Sequence, residues 1–381
     1  MEFTYVATCL FGLEKLLGEE IDALGYKRTE TIDGRVTFKA DADAVARCNV
    51  GFRFAERLFI LVGQFPCHSF EMLFEGTKKL PWEEFISSCD AFPVKGHAVK
   101  SKLFSIPDCQ SIVKKAVVER LKSQYKISWF EETGIKYQIE FFILNDVASL
   151  MIDTSGVALH KRGYRPVSNA APLRETLAAA LAKISRPRED VLFWDPMCGS
   201  GTIAIEGAMI ALNMAPGVNR GFDSEKFPFL PKDSFLRARE EARDNALRDS
   251  KFEARASDID PQCVSLTAQN CKRAGVWDHV KVFQENALEI STDGRRGTVV
   301  CNPPYGERLF TMEQTEALYK RMGKHFATLD NWQIYILTSH EGFERLYGRR
   351  ADKVRKLYNG MIKCNYYQFF KKQDMRKGKD K

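Results

Sequence analysis

Hydrophobic and polar residues change their spacing several times within residues 1–65. The pattern predicts strands at residues 3–10 and 57–62 and amphipathic helices at residues 13–24 and 42–49. Asp33-Gly34 lies between the stretches TETI and RVTFKA, and an Asp-Gly pair in such a position indicates a β-hairpin. This mixture of hairpin strands and short helices predicts a small α+β domain over residues 1–65.

Residues 66–165 show a second α+β pattern. It predicts helices at residues 70–80, 82–88 and 108–123, a strand at residues 97–101, and paired strands at residues 137–144 and 148–153. The helix at residues 108–123 has the clearest signal, because its apolar residues recur at helical spacing along one face. We expect this region to form a second small domain that ends in a basic linker.

From residue 166 to residue 381, strand and helix signals alternate at longer intervals. Short apolar stretches predict strands at residues 191–194, 254–257, 280–284, 298–301 and 333–338. Strands that alternate with helices form a doubly wound parallel sheet, so the predicted fold class of this region is α/β. Ligands of such sheets bind beyond the carboxyl ends of the strands, so the residues that follow each strand are the candidates for chemistry.

Length and composition narrow the class of protein. The chain has 381 residues, 44% of them hydrophobic, which suits two or three domains with cores of their own. No apolar run reaches the roughly 18 residues of a membrane-spanning helix, and the N-terminus lacks the basic start of a signal peptide. The cysteines and histidines lie singly, so no metal site is expected. These features predict a cytoplasmic protein with reduced thiols.

Clusters of basic residues indicate a polyanionic partner. The net charge is +7, and the segment HKRGYR places Lys161, Arg162 and Arg165 beside a tyrosine. The tail at residues 371–381 carries six Lys or Arg against two Asp. Such clusters bind a phosphate backbone by releasing its counterions. A solvated linker and a frayed terminus are the alternative, and for the tail both interpretations stay open.

The first strand of the α/β region is followed by a glycine-containing loop, DPMCGSGT. Its glycines allow a tight turn and a close approach of the backbone to a ligand. No lysine follows the second glycine, which argues against a P-loop. A dinucleotide site needs an acid at the end of the next strand about 20 residues later, whereas the next acid at a predicted strand end, Asp258, comes more than fifty residues later. A carboxylate in the loop disfavours a pyrophosphate and suits a cationic ligand such as S-adenosylmethionine. The candidate cofactor-binding residues here are Asp195, Met197, Gly199, Gly201 and Thr202, and a plain strand–helix turn is the alternative.

Acidic and amide side chains follow the next two strands. Asp258 and Asp260 lie in the stretch SDIDP, where a carboxylate accepts both ribose hydroxyls in the dinucleotide fold. Asp258 is the better candidate, because Asp260 before Pro261 also suits the N-cap of the next helix. Asn286 follows the third strand and is a candidate contact for the adenine amino group.

The fourth strand ends in Asn302-Pro303-Pro304-Tyr305. An exocyclic amine of a nucleobase is a poor nucleophile because its lone pair is delocalised into the ring. Two rigid acceptors that hold both N–H groups would direct the lone pair toward an incoming methyl group. Our hypothesis assigns these roles to the Asn302 side-chain oxygen and the Pro303 carbonyl, with Tyr305 stacked on the base. A proline-rich loop with a packed tyrosine is the alternative.

These motifs resemble a known family. Residues 166–381, with DPMCGSGT, SDIDP and NPPY, resemble a Rossmann-like methyltransferase domain. The stretch HAVKSKLFSIPDCQSIVKKAVVERL is similar to the core of a THUMP domain, an RNA-binding module, within residues 66–165. A ferredoxin-like domain would precede it at residues 1–65. The arrangement resembles the bacterial 23S ribosomal RNA guanine-N2 methyltransferases over nearly the whole chain.

The resemblance implies methyl transfer from S-adenosylmethionine to the N2 amine of a guanine, with 23S rRNA or a ribosome assembly intermediate as the partner. Residues 172–176 resemble the segment that closes over the methionine part of the cofactor, which adds Glu175 and Thr176 to the candidate cofactor-binding residues. The basic residues of the linker would contact RNA. Asn286 departs from the family pattern, because relatives often carry Asp there.

Three alternatives remain. An adenine-N6 methyltransferase acting on RNA or DNA would use the same tetrapeptide. A carbon-5 pyrimidine methyltransferase needs a cysteine within the fourth-strand loop, whereas Cys301 precedes that loop. A non-catalytic RNA-binding or ribosome-assembly factor would keep the fold without the motifs. The aromatic stretch at residues 216–239 is either a flap that faces the substrate or a cover packed on a sheet.

Overall fold

A computed structural model describes residues 2–166, 173–305 and 311–370, and the described chain forms two compact units. The N-terminal unit comprises residues 2–9, 14–159 and 220–241. The C-terminal unit comprises residues 10–13 and the described parts of 160–219 and 242–370. Pro172 of the predicted cofactor-closing segment and the basic tail lie outside the described residues.

The bounds of the regular elements are as follows. The strands are β1 (Glu2–Cys9), β2 (Lys27–Ile32), β3 (Arg35–Asp41), β4 (Ala55–Pro66), β5 (Val94–Val99), β6 (Ile139–Leu144), β7 (Val147–Asp153), β8 (Leu192–Asp195), β9 (Ala254–Asp258), β10 (Val280–Gln284), β11 (Gly297–Cys301), β12 (Trp332–Thr338), β13 (Lys353–Asn359) and β14 (Ile362–Phe369). The α-helices are α1 (Glu14–Ala23), α2 (Ala44–Gly51), α3 (Phe70–Lys78), α4 (Ile106–Tyr125), α5 (Glu175–Ser185), α6 (Thr202–Ala211), α7 (Ser234–Asp244), α8 (Pro261–Ala274), α9 (Met312–Phe326) and α10 (Phe343–Tyr347).

Seven strands form one sheet in the N-terminal unit, in the order β2-β3-β1-β4-β7-β6-β5. Neighbouring strands are antiparallel except for the parallel pair β5 and β6. The 12-residue strand β4 pairs with β1 on one side and with β7 on the other. The predicted boundary at residues 65 and 66 falls at the end of β4. Because β4 pairs with strands on both sides of this boundary, the two predicted N-terminal domains share a single sheet.

Local sequence signals account for most elements of this unit. The Asp33-Gly34 pair joins β2 to β3, and Gly34 has a φ of +77°, a conformation that favours glycine. Along α4, the buried residues are Cys109, Val113, Ala116, Val117 and Leu121. They agree with the predicted apolar face of this helix except near its N-terminus. One prediction is wrong: residues 82–88 do not form a helix, and only Trp82–Glu84 form a short 3₁₀ turn.

The segment at residues 220–241 packs onto the N-terminal unit. Its Phe227 ring stacks on Tyr137 with 4.5 Å between the ring centroids. Phe229 packs edge-on against Phe85 with 5.3 Å between centroids. Of the two interpretations left open for this aromatic stretch, the packed cover is the one that the structure shows.

The sheet of the C-terminal unit has the order β10-β9-β8-β11-β12-β14-β13. Its first five strands are parallel, and all five were predicted from the sequence. β14 runs antiparallel to both β12 and β13. The chain proceeds outward from β8 to β10 and then returns to β11 beside β8. The switch point of this doubly wound sheet therefore lies between β8 and β11, where a ligand is expected.

Aromatic side chains pack one side of this sheet against α9 and α10. Trp194, Tyr319, Trp332 and Phe343 are all buried in the same apolar cluster. This cluster fixes α9 beside the carboxyl end of β11. No helix within the described ranges is long and apolar enough to cross a membrane.

Candidate active site

A cavity of about 960 Å³ opens at the carboxyl edge of the C-terminal sheet. Its size falls in the range of small-molecule and cofactor sites. Most of the predicted site residues line it, namely Asp195, Met197, Gly199, Thr202, Asp258, Asp260, Asn286, Asn302, Pro303 and Tyr305. Gly201, Glu175 and Thr176 do not line it. The structure thus brings together the loops that follow β8, β9, β10 and β11.

The glycine loop between β8 and α6 is shaped by two left-handed residues. Gly199 has a φ of +54° and Gly201 a φ of +80°. A Cβ atom at Gly201 would lie 2.6 Å from the side chain of Thr267, so this position also needs glycine for space. Gly201 therefore shapes the loop without facing the cavity.

Two polar residues of α8 hold the glycine loop in place. Thr267 Oγ1 donates a hydrogen bond to the Gly199 carbonyl at 3.0 Å. Asn270 Nδ2 donates to the Ser200 carbonyl at 2.9 Å. The sequence analysis missed both residues. A sequence feature that could have revealed them is a pair of polar residues, spaced by three, on the otherwise buried face of a helix. That helix directly follows the strand that ends in Asp258.

Asp195 ends β8 and places a buried carboxyl group in the cavity wall. Its side chain is 1% exposed, and its Oδ1 atom accepts a hydrogen bond from the Met197 backbone N–H at 3.3 Å. Burial raises the pKa of Asp195 well above its usual range, and the nearby Asp258 raises it further. A cationic group in the cavity would favour the ionised carboxylate.

Asp258 and Asp260 have different local roles. The Asp258 carboxylate is oriented by two backbone donors, Gly199 N–H at 2.9 Å and Asp260 N–H at 3.0 Å. Asp260 is the N-cap of α8, because its Oδ1 atom accepts from the Gln262 N–H at 2.8 Å. Both side chains line the cavity. Both carboxylates accept backbone hydrogen bonds, so the preference for Asp258 as the cofactor contact stays a prediction.

Asn286 lines the cavity after β10, with both ends of its amide engaged. Its Oδ1 atom accepts from the Leu288 N–H at 3.0 Å, and its Nδ2 atom donates to Glu289 at 3.0 Å. The amide is therefore held in a fixed direction. An adenine contact at this position stays a prediction.

The Asn302–Tyr305 tetrapeptide forms the cavity wall directly after β11. Asn302, Pro303, Pro304 and Tyr305 all line the cavity. The Tyr305 hydroxyl donates a hydrogen bond to the Asn302 Oδ1 atom. The acceptor that the amine hypothesis assigns to Asn302 is thus occupied by a side chain of the same motif. A substrate amine would either use the second lone pair of this oxygen or displace the hydroxyl.

Tyr319 of α9 holds the Asn302–Tyr305 loop through a hydrogen bond to its backbone. Its hydroxyl donates to the Pro304 carbonyl at 2.7 Å and lies 2.8 Å from the Thr338 hydroxyl. The side chain is fully buried, and burial raises its pKa, so the phenol stays neutral. Sequence reasoning missed Tyr319 because an isolated tyrosine on a helix resembles any core residue.

The basic linker contains two arginines with buried side chains. Arg162 is buried, and its guanidinium lies 3.6 Å from Glu206. Arg165 lies 3.1 Å from Glu175, and it donates to Thr202 Oγ1 at 2.8 Å. Both arginines are therefore internal residues of the C-terminal unit, and their burial argues against the predicted contact with RNA. Lys161 is exposed, and its contact with RNA stays a prediction.

The segment before α5 reaches the cavity through residues other than those predicted. Leu173 and Arg174 line the cavity, whereas Glu175 and Thr176 are buried in the unit. Arg165 bonds the Leu173 carbonyl at 2.9 Å and pairs with Glu175. Glu175 thus holds this segment in place instead of lining the cavity.

Cys198 and Cys301, the two buried cysteines nearest to Asp195, are poorly suited to act as nucleophiles. Burial raises the pKa of Cys301 and Cys198 well above the usual range, and Asp195 raises both further. A cysteine nucleophile needs a lowered pKa, because the thiolate is the reactive form. Cys301 is also absent from the described lining of the cavity. A carbon-5 pyrimidine methyltransferase is therefore disfavoured.

The lining fits a cationic nucleoside cofactor. A buried carboxyl group in the wall suits an ammonium or sulfonium group, and Asp258 offers acceptors for ribose hydroxyls. Among the described residues, no group of three or more His, Cys, Asp or Glu side chains is placed to bind a metal ion. S-adenosylmethionine has the required combination of a sulfonium, an ammonium and a ribose.

Comparison with protein families assigns all three parts of the chain. A family described as "RMKL-like, methyltransferase domain" matches residues 162–368. The "RlmL ferredoxin-like domain" matches residues 4–59, and the THUMP domain matches residues 67–153. The order of the three domains agrees with the predicted order.

Similar proteins of known sequence include two bacterial relatives. The chain is 45% identical to "Putative RNA methyltransferase YpsC" of Bacillus subtilis, over 97% of each chain. It is 31% identical to "Ribosomal RNA large subunit methyltransferase K/L" of Hahella chejuensis, over 97% of this chain and 53% of the relative. The chain thus spans about half the length of the K/L relative.

Two similar proteins have solved structures. One is described as "a predicted N6-adenine-specific DNA methylase" from Listeria monocytogenes, with 44% identity, a TM-score of 0.92, and coverage of 98% of this chain and 97% of that one. The other is "SMU.472, a putative methyltransferase complexed with SAH", with 40% identity, a TM-score of 0.92, and coverage of 98% of this chain and 99% of that one.

Proposed function

The chain belongs to the family of RMKL-like methyltransferases, and on that premise we propose that it methylates the exocyclic N2 amine of a guanine in RNA. S-adenosylmethionine is the cofactor, and SAH, which the relative SMU.472 binds, is its demethylated product. When bound, S-adenosylmethionine supplies a methyl group activated by a sulfonium. The remaining tasks fall to the side chains that line the cavity.

The observation that carries the proposal is the position of the Asn302–Tyr305 tetrapeptide. It lines the same cavity as Asp195 and Asp258, the two carboxyl groups that fit the cofactor. A candidate amine acceptor and a candidate cofactor site thus share one cavity at the switch point of the sheet. This geometry supports transfer to an exocyclic amine of a nucleobase.

In the proposed reaction, the Asn302 oxygen and the Pro303 carbonyl accept the two N–H groups of the amine. Held in this way, the amine presents its lone pair away from the acceptors. The Tyr305 hydroxyl leaves Asn302 when the amine arrives, which frees the ring to stack on the base. The methylated amine is strongly acidic and loses its proton to water, so no strong general base is needed. No histidine is among the described residues that line the cavity.

RNA is the proposed substrate for three reasons. The chain contains a THUMP domain, and its relatives in Bacillus subtilis and Hahella chejuensis are named for RNA and ribosomal RNA. Arg174 and Arg321 also line the cavity, and cations there favour a substrate that carries phosphate groups. Large-subunit rRNA, free or in an assembly intermediate, is the proposed source of the guanine, and a cytoplasmic location follows from that substrate.

Adenine-N6 methylation is the second candidate. The Listeria monocytogenes neighbour is described as an N6-adenine-specific DNA methylase, and the two acceptors at Asn302 and Pro303 serve any exocyclic amine equally well. The THUMP domain favours RNA over DNA, but it does not choose between the two bases.

The test is methyl transfer from labelled S-adenosylmethionine to RNA and, in parallel, to DNA from cells that lack the gene. Nucleosides are identified after digestion, and the Asn302→Ala variant serves as the matched control. Label in N2-methylguanosine, lost with the variant, is the expected result. Label in N6-methyladenosine would move the substrate to the second candidate. Absence of cofactor binding would contradict the proposal and favour a non-catalytic factor.

A further inference from the structure

A β-hairpin with an exposed apolar tip borders the mouth of the cavity. The strands β13 and β14 pair from Lys353 with Gln368 to Asn359 with Ile362 and leave Gly360 and Met361 as a two-residue turn. Gly360 has a φ of +65°, as the first turn residue of such hairpins often does. Asn359, Gly360 and Ile362 line the cavity. The turn therefore sits on the rim of the candidate active site.

Met361 projects from this rim into solvent. Its side chain is 97% exposed, the highest value among the large apolar residues of the described chain. Turn positions favour Gly, Asn, Asp and Ser, and an exposed methionine there gains nothing from packing. A single exposed apolar residue is common on protein surfaces and does not by itself indicate a function. The residues of the hairpin around Met361 are therefore considered next.

The two faces of the hairpin differ in chemistry. Because side chains alternate along a strand, Leu357 and Cys364 point inward and are buried. On the other face, Lys356 lies over the Tyr358 ring, with 5.4 Å between the Nζ atom and the ring centroid. Lys363 is the cross-strand partner of Tyr358 on that same face. The outward face thus combines cations with an aromatic ring.

The charge of the hairpin is one-sided. Residues 353–370 contain Lys353, Arg355, Lys356 and Lys363 and no Asp or Glu. Phe11 extends the aromatic surface, since its ring packs edge-on against Tyr358 with 5.8 Å between centroids and is 52% exposed. Cations interleaved with exposed aromatic rings are the chemistry that binds a nucleic acid strand.

An enzyme that acts on a base must take that base out of its stack, and apolar side chains inserted into the stack hold the neighbouring bases apart. From the position of Met361 and the charge of its hairpin, we infer that Met361 is a wedge that occupies the space left by the target nucleotide. The cations and rings of the outward face then hold the flanking strand. This inference rests on the proposed function, because it assumes that the substrate is RNA with the target base initially stacked.

The wedge is tested with Met361→Ala in the full-length protein. The substrate is RNA from cells that lack the gene, used folded and also as short single-stranded fragments. We expect transfer to folded RNA to fall by about tenfold or more, while the affinity for S-adenosylmethionine, measured by calorimetry, stays unchanged. Transfer to the fragments should change much less, because their bases need little unstacking.

Two matched variants complete the test. Met361→Leu keeps an apolar side chain of similar size and should retain transfer to folded RNA. Leu247→Ala removes a 55% exposed apolar side chain at the opposite edge of the sheet, where the Leu247 N–H bonds the carbonyl of Leu212 after the end of α6. It should leave transfer unchanged.

Several outcomes would overturn the inference. Equal loss on folded RNA and on fragments would make Met361 a contact of the base itself and not a wedge. Full activity of Met361→Ala on folded RNA would show that the exposed side chain has no part in the reaction. If the unaltered protein transfers nothing to RNA, it is the proposed function that fails and not the wedge alone.

Discussion

At the scale of single residues, the proposed function predicts separable tasks for Asn302 and Asp258. Asn302→Ala removes the proposed acceptor of the amine and should abolish measurable transfer, a loss of about 100-fold or more. Cofactor affinity should remain nearly unchanged, since the other cofactor-facing groups are intact. Asp258→Ala should do the reverse and weaken cofactor binding first, by about 10- to 100-fold. Collapse of cofactor binding in Asn302→Ala would make Asn302 a structural residue.

The proposed contact between Asp195 and the cofactor predicts that cofactor binding depends on pH. Burial raises the pKa of this carboxyl in the folded protein, so its contribution to the free energy of unfolding is full below the usual aspartate pKa of about 3.9 and is lost as the pH rises. A cationic ligand stabilises the ionised form instead. Binding should therefore release a proton, and affinity should increase as the pH rises above about 4.

The matched variant for this pH effect is Asp195→Asn, which keeps the shape and removes the charge. We expect it to weaken S-adenosylmethionine binding by about 10- to 100-fold at neutral pH and to flatten the dependence on pH. Calorimetry in buffers of different ionisation enthalpy measures the released proton directly. Parallel pH profiles for the variant and the unaltered protein would rule out ionisation of Asp195 as the cause.

Tyr319 tests whether the tetrapeptide must be held rigidly. Tyr319→Phe removes only the hydroxyl that donates to the Pro304 carbonyl. We expect kcat to fall by about tenfold, because small displacements of reacting groups are costly, while KM for the cofactor and for RNA changes little. Tyr335→Phe, which removes another buried tyrosine hydroxyl that donates to Gln333, is the control. Equal losses in the two variants would indicate a general effect on stability.

Short local motifs in the sequence predicted most of the residues that line the cavity. The glycines of the loop and Asp195, Asp258 and Asn302 are fixed by their position after a strand, which a motif reveals. The burial of Arg162 and Arg165 was not predicted, because a basic run looks the same in sequence whether it is solvated or buried. Their partners Glu206 and Glu175 are distant in the sequence, so no local signal pairs them.

At the scale of elements, the cover at residues 220–241 is predicted to stabilise the N-terminal unit. Phe227 is 3% exposed and stacks on Tyr137, so Phe227→Ala should cost about 3–5 kcal/mol of local stability. Hydrogen exchange should become faster in the strands of the N-terminal unit and stay unchanged in those of the C-terminal unit. The exposed neighbour Lys226 provides the control, since Lys226→Ala should change little. Unaltered exchange in Phe227→Ala would show that the cover adds nothing.

The hairpin of β13 and β14 and the packing of residues 220–241 were not predicted from the sequence, because neither is determined by a clear local pattern. The hairpin of β13 and β14 has a hairpin signal in Asn359-Gly360, but its strands carry cations that mask the alternation of apolar residues. The segment that covers Tyr137 was recognised as aromatic, yet its destination depends on packing against residues far away in the sequence. The five parallel strands of the C-terminal sheet, in contrast, were all found, because they alternate with helices along the sequence.

At the scale of the whole molecule, the order of domains follows from the alternation of elements, and the family comparisons agree with it. What the pattern did not reveal is that β4 joins the first two domains into one sheet. Strand pairing across a domain boundary is a long-range property. The sequence also has no linker-like segment between the two domains, which agrees with their sharing one sheet.

The proposed function predicts that this protein installs N2-methylguanosine in RNA and that Asn302 is required for the transfer. The most direct measurement is mass spectrometry of nucleosides from the RNA of four strains: with the gene, without it, with it restored, and with Asn302→Ala in its place. We predict that N2-methylguanosine falls when the gene is lost, returns with the restored gene, and does not return with the variant. An unchanged level on loss of the gene, or full recovery with Asn302→Ala, would contradict the account.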